Sequence, residues 1–304
     1  MSQQATDRSS MFLSLRHRNL RIYFFGLLLS NVGTWLQFTA MSLLIYSINH
    51  KATDAGINTF AQFVPMLVLG AWAGGFADRH NRRRVTFWCQ SLLGVQALVL
   101  AVVTFTGHVS LPMIYLLSFG TGIANAIDNP SRRGLVTELV EPAEIPNAMS
   151  LNTTVMTGSR IFGPALAAAL IGPLGMAWLF ALNAVSYLFV LASLLMIDKT
   201  KMLPATVAAR GGKPVREGLS FVWRDPMLRR AFIVFTVVST FAFNYSVVMP
   251  KLSDVRWGQA NGYPILLTCV SIGSVFGALA TARFTRITMR WYATLVTING
   301  VSCI

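Results

Sequence analysis

The sequence predicts an all-α protein that crosses a lipid bilayer many times. Three observations carry that reading. Of 304 residues, 54% are hydrophobic and only 12% are charged, against about 25% charged in a soluble domain. The charges are clustered, and the gaps between clusters suit helices of about 20 apolar residues, the length that spans the hydrocarbon. The basic residues also fall on alternate inter-gap segments. A soluble helical protein would need a charged solvent face every turn or two along these stretches, and they carry none.

The spans follow in order. No Asp, Glu, Lys or Arg occurs in residues 22–50 or 55–77. Residues 85–127 hold two spans hinged at Gly107, His108 and Pro112. In residues 145–197 the only charge is Arg160, and Gly172-Pro173 divides that stretch in two. Residues 231–250 and 257–282 give two more, and residues 291–304 open another run, 14 residues long. The expectation is eight complete spans and the start of a ninth. Residues 1–19 precede the first span, 20–197 form a six-helix half, 198–230 form a polar connector, and 231–304 form part of a second half. The connector contains Pro204, Gly211-Gly212 and Pro214. Its residues 215–230 read as a short amphipathic helix lying at the membrane surface and ending at Asp225-Pro226.

The formal net charge of +14 invites a nucleic-acid reading, but its distribution has another cause. With the N-terminus inside, 21 of the 25 basic residues lie on inner segments, Lys51, Lys251 and Arg256 lie outside, and Arg160 lies in the membrane. That bias fixes the N-terminus as cytoplasmic, and no nucleic acid is required. Cys89, Cys269 and Cys303 all fall in apolar stretches, with no metal-ligand spacing. The first hydrophobic run is too long for a signal-peptide core. No phosphate-binding glycine loop and no His-Glu-x-x-His occurs, and His17, His50, His80 and His108 are dispersed. Neither an enzyme nor a cofactor is expected.

Three motifs and one helical face carry the mechanism. Residues 74–84, Gly-Gly-Phe-Ala-Asp-Arg-His-Asn-Arg-Arg-Arg, place Asp78 at a helix end beside Arg79, Arg82 and Arg83. Gly74 is expected to let that helix approach a neighbour closely, and Asn81 to take a left-handed turn. Residues 124–133 run Ala-Asn-Ala-Ile-Asp-Asn-Pro-Ser-Arg-Arg, with Asp128 and Arg132 one helical turn apart. In Ser159-Arg160-Ile161-Phe162-Gly163-Pro164, Pro164 should bend the helix and Gly163 should allow tight contact there. Asn31, Trp35, Phe38 and Ser42 share one helical face, and Gln62, Asn244, Tyr245 and Arg160 are expected to line the same cavity. A charge at Arg160 is costly in hydrocarbon unless it faces water or a partner. A weak repeat, Gly74-Gly75-Phe76-Ala77 against Gly277-Ala278-Leu279-Ala280, each followed by a basic loop, supports a two-half layout.

These residues resemble the major facilitator superfamily. The 74–84 run is similar to its signature loop between helices two and three. The 124–133 run and the connector residues Glu217-Gly218-Leu219 and Arg224-Asp225-Pro226 are similar to the exporter branch called transmembrane secretion effectors, which includes enterobactin and macrolide exporters. The Gly163-Pro164 segment is similar to an antiporter motif, with Ser159 in place of the leading glycine. The resemblance implies a major facilitator fold with a complete first half and about two and a half helices of the second. It also implies export of a bulky amphipathic small molecule through alternating access, with a proton as coupling ion. By the same resemblance Asp128 pairs with an arginine of the signature loop, Arg82, and so latches the first half. The departures are Ser118 where many exporters have arginine, and Thr34 where many relatives have an acid. The alternative expectation is a transport-incompetent remnant: a chain stopping short of the full fold would lack one cavity wall and would not transport by itself. Oligomeric state stays open.

Overall fold

The computed structural model describes residues 12–203, 220–242, 245–258 and 262–282. Within them nine α-helices follow one another: α1 Arg18–Asn49, α2 Ala52–Arg79, α3 Arg82–Phe105, α4 Leu111–Glu138, α5 Ile145–Leu174, α6 Met176–Met196, α7 Pro226–Ala242, α8 Tyr245–Trp257 and α9 Tyr263–Ala282. Connections in the first six are short, so successive helices run antiparallel. This places residues 79–84, 132–144 and 197–203 at one end, here the basic end, and residues 49–52, 105–111 and 174–176 at the other.

The breaks have local causes. Gly107 takes φ +72° after α3, and Pro112 enters α4 in its first turn, where its missing N–H removes no helical bond. The expected division at Gly172-Pro173 moves to Gly175, whose φ of +79° closes α5. A left-handed residue ends a helix most cheaply when it lacks a Cβ, so Pro173 stays inside the last turn. Residues 220–224 are helical, the helix stops at Asp225, and Pro226 opens α7. The seventh helix therefore begins inside the stretch read as connector. Residues 204–219, the 283–290 loop and the 291–304 run lie outside the described residues.

By length and composition, α1, α3, α5 with its preceding turn, and α6 are long and apolar enough to cross a membrane, and α2 makes a fifth if its bent parts count as one span. Among the described residues, four or five of the eight expected spans meet that criterion. Asp128, Arg132, Arg133 and Glu138 crowd the last turns of α4, and the seventh stretch is divided between α7 and α8.

Packing explains the order of the bundle. α1 lies against α5 and α6, α2 against α4, and α3 against α4 and α6, while α9 packs on α5 and α8 touches α1 and α2. One apolar core at the basic end joins Leu20, Tyr23, Leu27, Leu135, Val190 and Leu194, all from the first six helices. A second core at the opposite end joins Leu36, Leu43, Ile114 and Phe180 to Tyr263 and Leu267 of α9. Tyr46 Oη donates to Asp254 Oδ2 at 2.9 Å, tying α1 to α8 at that same end.

Candidate functional site

The signature-loop residues form a cluster at the basic end. Arg82, the first residue of α3 and buried, donates from Nη2 to Asp78 Oδ1 at 2.9 Å and lies 3.3 Å from Glu138 Oε1 through Nη1. Nη1 also donates to the Gly134 carbonyl at 3.3 Å. A Cβ at Gly134 would stand about 2.5 Å from Arg82 Nε, so glycine there makes the room for the guanidinium. Arg83 donates to the Leu194 and Leu195 carbonyls at 2.5 and 3.2 Å, capping the end of α6. Arg79 is exposed. Asn81 is extended, with φ −64° and ψ 105°, and its side chain accepts from the Arg84 N–H. It caps α3 rather than turning left-handed as expected. Gly74 has nothing within 4 Å of its Cβ direction, so the close approach expected there is absent.

Asp128 does not pair with Arg82. Its Oδ2 accepts from Gln90 Nε2 at 2.7 Å and lies 2.8 Å from Arg132 Nε, one turn along the same helix. The reason is depth. Asp128 sits beside Gln90, eight residues along α3 from Arg82, or roughly 12 Å at 1.5 Å per residue. Arg132 is near enough to take the carboxylate, and Glu138, nearer the helix end, takes Arg82. Asp128 is wholly buried, and its Oδ1 has no hydrogen-bond partner. Arg132 reaches Asn129 Oδ1 at 3.1 Å and Asn31 Oδ1 at 3.4 Å. Asn31 in turn donates to Met156 Sδ at 3.1 Å. Asn31 is therefore buried in the seam of α1, α4 and α5 and does not stand on an open cavity wall, because its amide has partners on both sides.

One turn further from the basic end, Arg160 of α5 is exposed, and its Cζ lies 4.8 Å from the Trp35 ring centroid. Trp35 meets Phe38 edge-on at 5.3 Å. Such stacking suits a guanidinium on an indole face. Gly163 lets α5 sit on α1: a Cβ there would strike the Trp35 Cβ and approach the Val32 carbonyl and Leu36 N–H at 3.0 Å. Pro164 is buried, yet α5 runs unbroken through it. A bend of 64° falls in α2, between Ala52–Gly70 and Trp72–Arg79. Gln62 is half-buried, and its backbone carbonyl is the seat of Gly122 in α4. Ser118, standing where an arginine is common, donates to Asn58 Oδ1 at 2.6 Å and closes the α2–α4 seam without charge. Asn244 lies outside the described residues, and Tyr245 opens α8.

The structure thus joins Arg160, Trp35 and Phe38, and separately Asn31, Asp128 and Arg132, while Gln62 stands apart on α2. Sequence reading missed Gln90, Gly134 and Glu138. Only Glu138 gave a signal, as the next acid after Asp128 on the same helix. Among the described residues no group of three His, Cys, Asp or Glu could hold a metal ion.

Apolar helices threading back and forth, packed in this order with most of their basic residues at one end, define an integral membrane protein of the major facilitator class. A family model described as transmembrane secretion effector matches residues 9–303, and the chain belongs to that family. Its relatives are transporters, not enzymes. It is 23% identical over 267 residues to the Staphyloferrin A transporter of Staphylococcus aureus, covering 86% of this chain and 66% of that protein. It is 27% identical over 293 residues to the multidrug efflux pump Tap of Mycolicibacterium fortuitum, covering 91% and 70%. A solved bacterial homolog of the human lysosomal transporter Spinster, inward-facing and unoccupied, is similar in fold, with TM-score 0.59, 16% identity, and 88% and 64% of the two chains covered. The chain spans about two thirds of the length of these proteins.

Proposed function

We propose that this chain belongs to a secondary transporter that exports a bulky, amphipathic small molecule, drug-like or siderophore-like, by alternating access. The basic end faces the cytoplasm, with the N-terminus inside, in a bacterial inner membrane. The observation that carries the reading is Arg160 lying over Trp35 beside Phe38: an exposed cation with aromatic surface at mid-helix, where an uncompensated charge needs water or a solute. The relatives supply the solute classes, a siderophore transporter and a multidrug pump. Tyr46–Asp254 and Tyr263 hold the two halves together at the far end, which leaves the basic end as the side of entry. Asp128, buried with one oxygen unpartnered, is our candidate for the proton-coupling carboxylate, with Arg132 returning the charge balance.

Equilibrium binding to the purified chain, read by tryptophan fluorescence, tests the site. Siderophores and lipophilic drugs should quench Trp35, and Arg160→Ala should weaken acidic solutes more than neutral ones. Binding that ignores both Trp35→Phe and Arg160→Ala would sink this site. The orientation is tested by thiol labelling in intact cells. A cysteine at residue 81 or 212 should resist a membrane-impermeant reagent added outside, and labelling there would reverse the topology.

A further inference from the structure

The basic end holds a second feature that the transport reading does not use. A cavity of about 310 Å³ lies between the inner ends of α3, α4 and α6, lined among others by His80, Arg83, Arg84, Glu138, Lys199 and Leu203. The Leu203 N–H donates to the Glu138 carbonyl at 2.9 Å, so the chain leaving α6 closes one wall. The charges around it do not balance. Arg82 is shared by Glu138 and Asp78, so these three leave one negative charge against the three cations Arg83, Arg84 and Lys199. Arg83 is bonded to carbonyl oxygens, which leaves its charge uncancelled. Arg84 and Lys199 have no ion pair among the described residues. The positive end of the α3 dipole faces the same place but is opposed by the carbonyl ends of α4 and α6, so the surplus rests on the side-chain cations. The cavity is therefore built for an anion.

What lies beside the cavity identifies which anion. On α3, Arg84, Trp88, Leu92 and Val95 follow at helical spacing along one face. Trp88, Leu92 and Val95 are 71%, 55% and 57% exposed. On the α6 side, Lys199 is followed toward mid-helix by Leu195 and Leu188, 64% and 61% exposed. A cation thus stands at the basic end of each stripe, Arg84 on α3 and Lys199 just beyond α6, and the bare apolar residues lead away from it into the membrane span. A free phosphate would use the cations and ignore the stripes. A phospholipid uses both.

We propose that this cavity binds the phosphodiester of an anionic membrane phospholipid, held between Arg84 and Lys199 with Arg83 behind them, its acyl chains lying along the α3 and α6 stripes. A basic pocket between helices at a membrane surface is the setting in which such headgroups are bound. The site is separate from the Arg160 patch and does not depend on which solute, if any, is moved.

The test uses the purified full chain in a zwitterionic detergent, titrated with phosphatidylglycerol and read by native mass spectrometry. Phosphatidylcholine with the same chains and inorganic phosphate form the comparison arms. Phosphatidylglycerol should bind most tightly, and Arg84→Gln and Lys199→Gln should each weaken it about five-fold, the effect of one cation at a membrane surface. Lys51→Gln, at the other end of the bundle, should change nothing. The charge-keeping pair Arg84→Lys with Lys199→Arg should bind like the native chain, which separates lost charge from lost folding. Equal binding of phosphatidylcholine would overturn the proposal, as would indifference to both neutral substitutions. Equally tight binding of inorganic phosphate would overturn it in favour of a soluble-anion site.

Discussion

The two ends of the first six helices each have an apolar core and differ in the ties added to it. At the basic end the tie points are polar and charged: Arg82 with Asp78 and Glu138, Asp128 with Arg132 and Gln90, His17 with Glu144 at 2.7 Å, and Asn19 with the Asp198 backbone. Every one of these joins residues between positions 17 and 198. At the opposite end the bonds reach into the second half, through the apolar seat of Tyr263 and Leu267 and the Tyr46–Asp254 hydrogen bond. Charged contacts supplement the apolar core within α1 to α6, while α9 rests on them through apolar contact and α8 through one hydrogen bond. Among the described residues, no ion pair at the basic end joins α1–α6 to α7, α8 or α9.

Removing Arg82 should break that contrast most severely. Arg82→Ala leaves Glu138 buried without its partner, a loss of about 3 kcal/mol or more for a broken buried pair. Thermal unfolding in detergent checks it, and a loss below that of Tyr46→Phe would show that the basic end is not held by charge. Next in size is Gly122→Leu, which drives a side chain into the Gln62 carbonyl and should cost about 1–3 kcal/mol by overpacking, with the same readout. A double-mutant cycle sharpens the pairing itself. Asp128→Asn with Arg132→Gln should show coupling of about 0.5–3 kcal/mol, while Asp128→Asn with Arg82→Gln should add within about 0.5 kcal/mol. Coupling in the second cycle and none in the first would restore the pairing that the family resemblance implied.

Tyr46→Phe tests the opposite end, where one hydrogen bond is worth about 1 kcal/mol. Its clearer effect should be on access: a cysteine at residue 256 should label faster in this background, and labelling at residue 81 should not change. Arg160→Ala should be the mildest for folding, within the range of an exposed cation–π contact, about 0.5–1 kcal/mol. An unfolding loss beyond that would make Arg160 a packing residue.

Much of this architecture was legible because a bilayer makes strong demands. The charge-free runs located α1 to α6, since a charge in hydrocarbon is expensive and chains avoid it. Gly163 was readable as a close contact because small residues are the means by which membrane helices approach. Depth was not readable. Asp128 and Arg82 both stand near arginine-rich segments in the sequence, yet the rise of a helix separates them by two turns. Partners contributed by other helices were also hidden: Gln90 and Glu138 are ordinary polar residues until folding places them. Tyr46 and Asp254 are 208 residues apart, and nothing local to either announces the other. Asn81 misled because asparagine tolerates a left-handed turn, whereas it can equally accept a helix-start N–H.

The space left by Gly134 for the Arg82 guanidinium reverses the ranking of glycines that the signature motif suggests. Gly74 and Gly75, inside the motif, would meet nothing if they gained a side chain, whereas Gly134, outside it, would displace an arginine. In a library carrying every substitution at every position, alanine should be abundant among survivors at 74 and 75 and depleted at 134. The record of tolerated variation would then trace the arginine's lodging and not the letters of the motif.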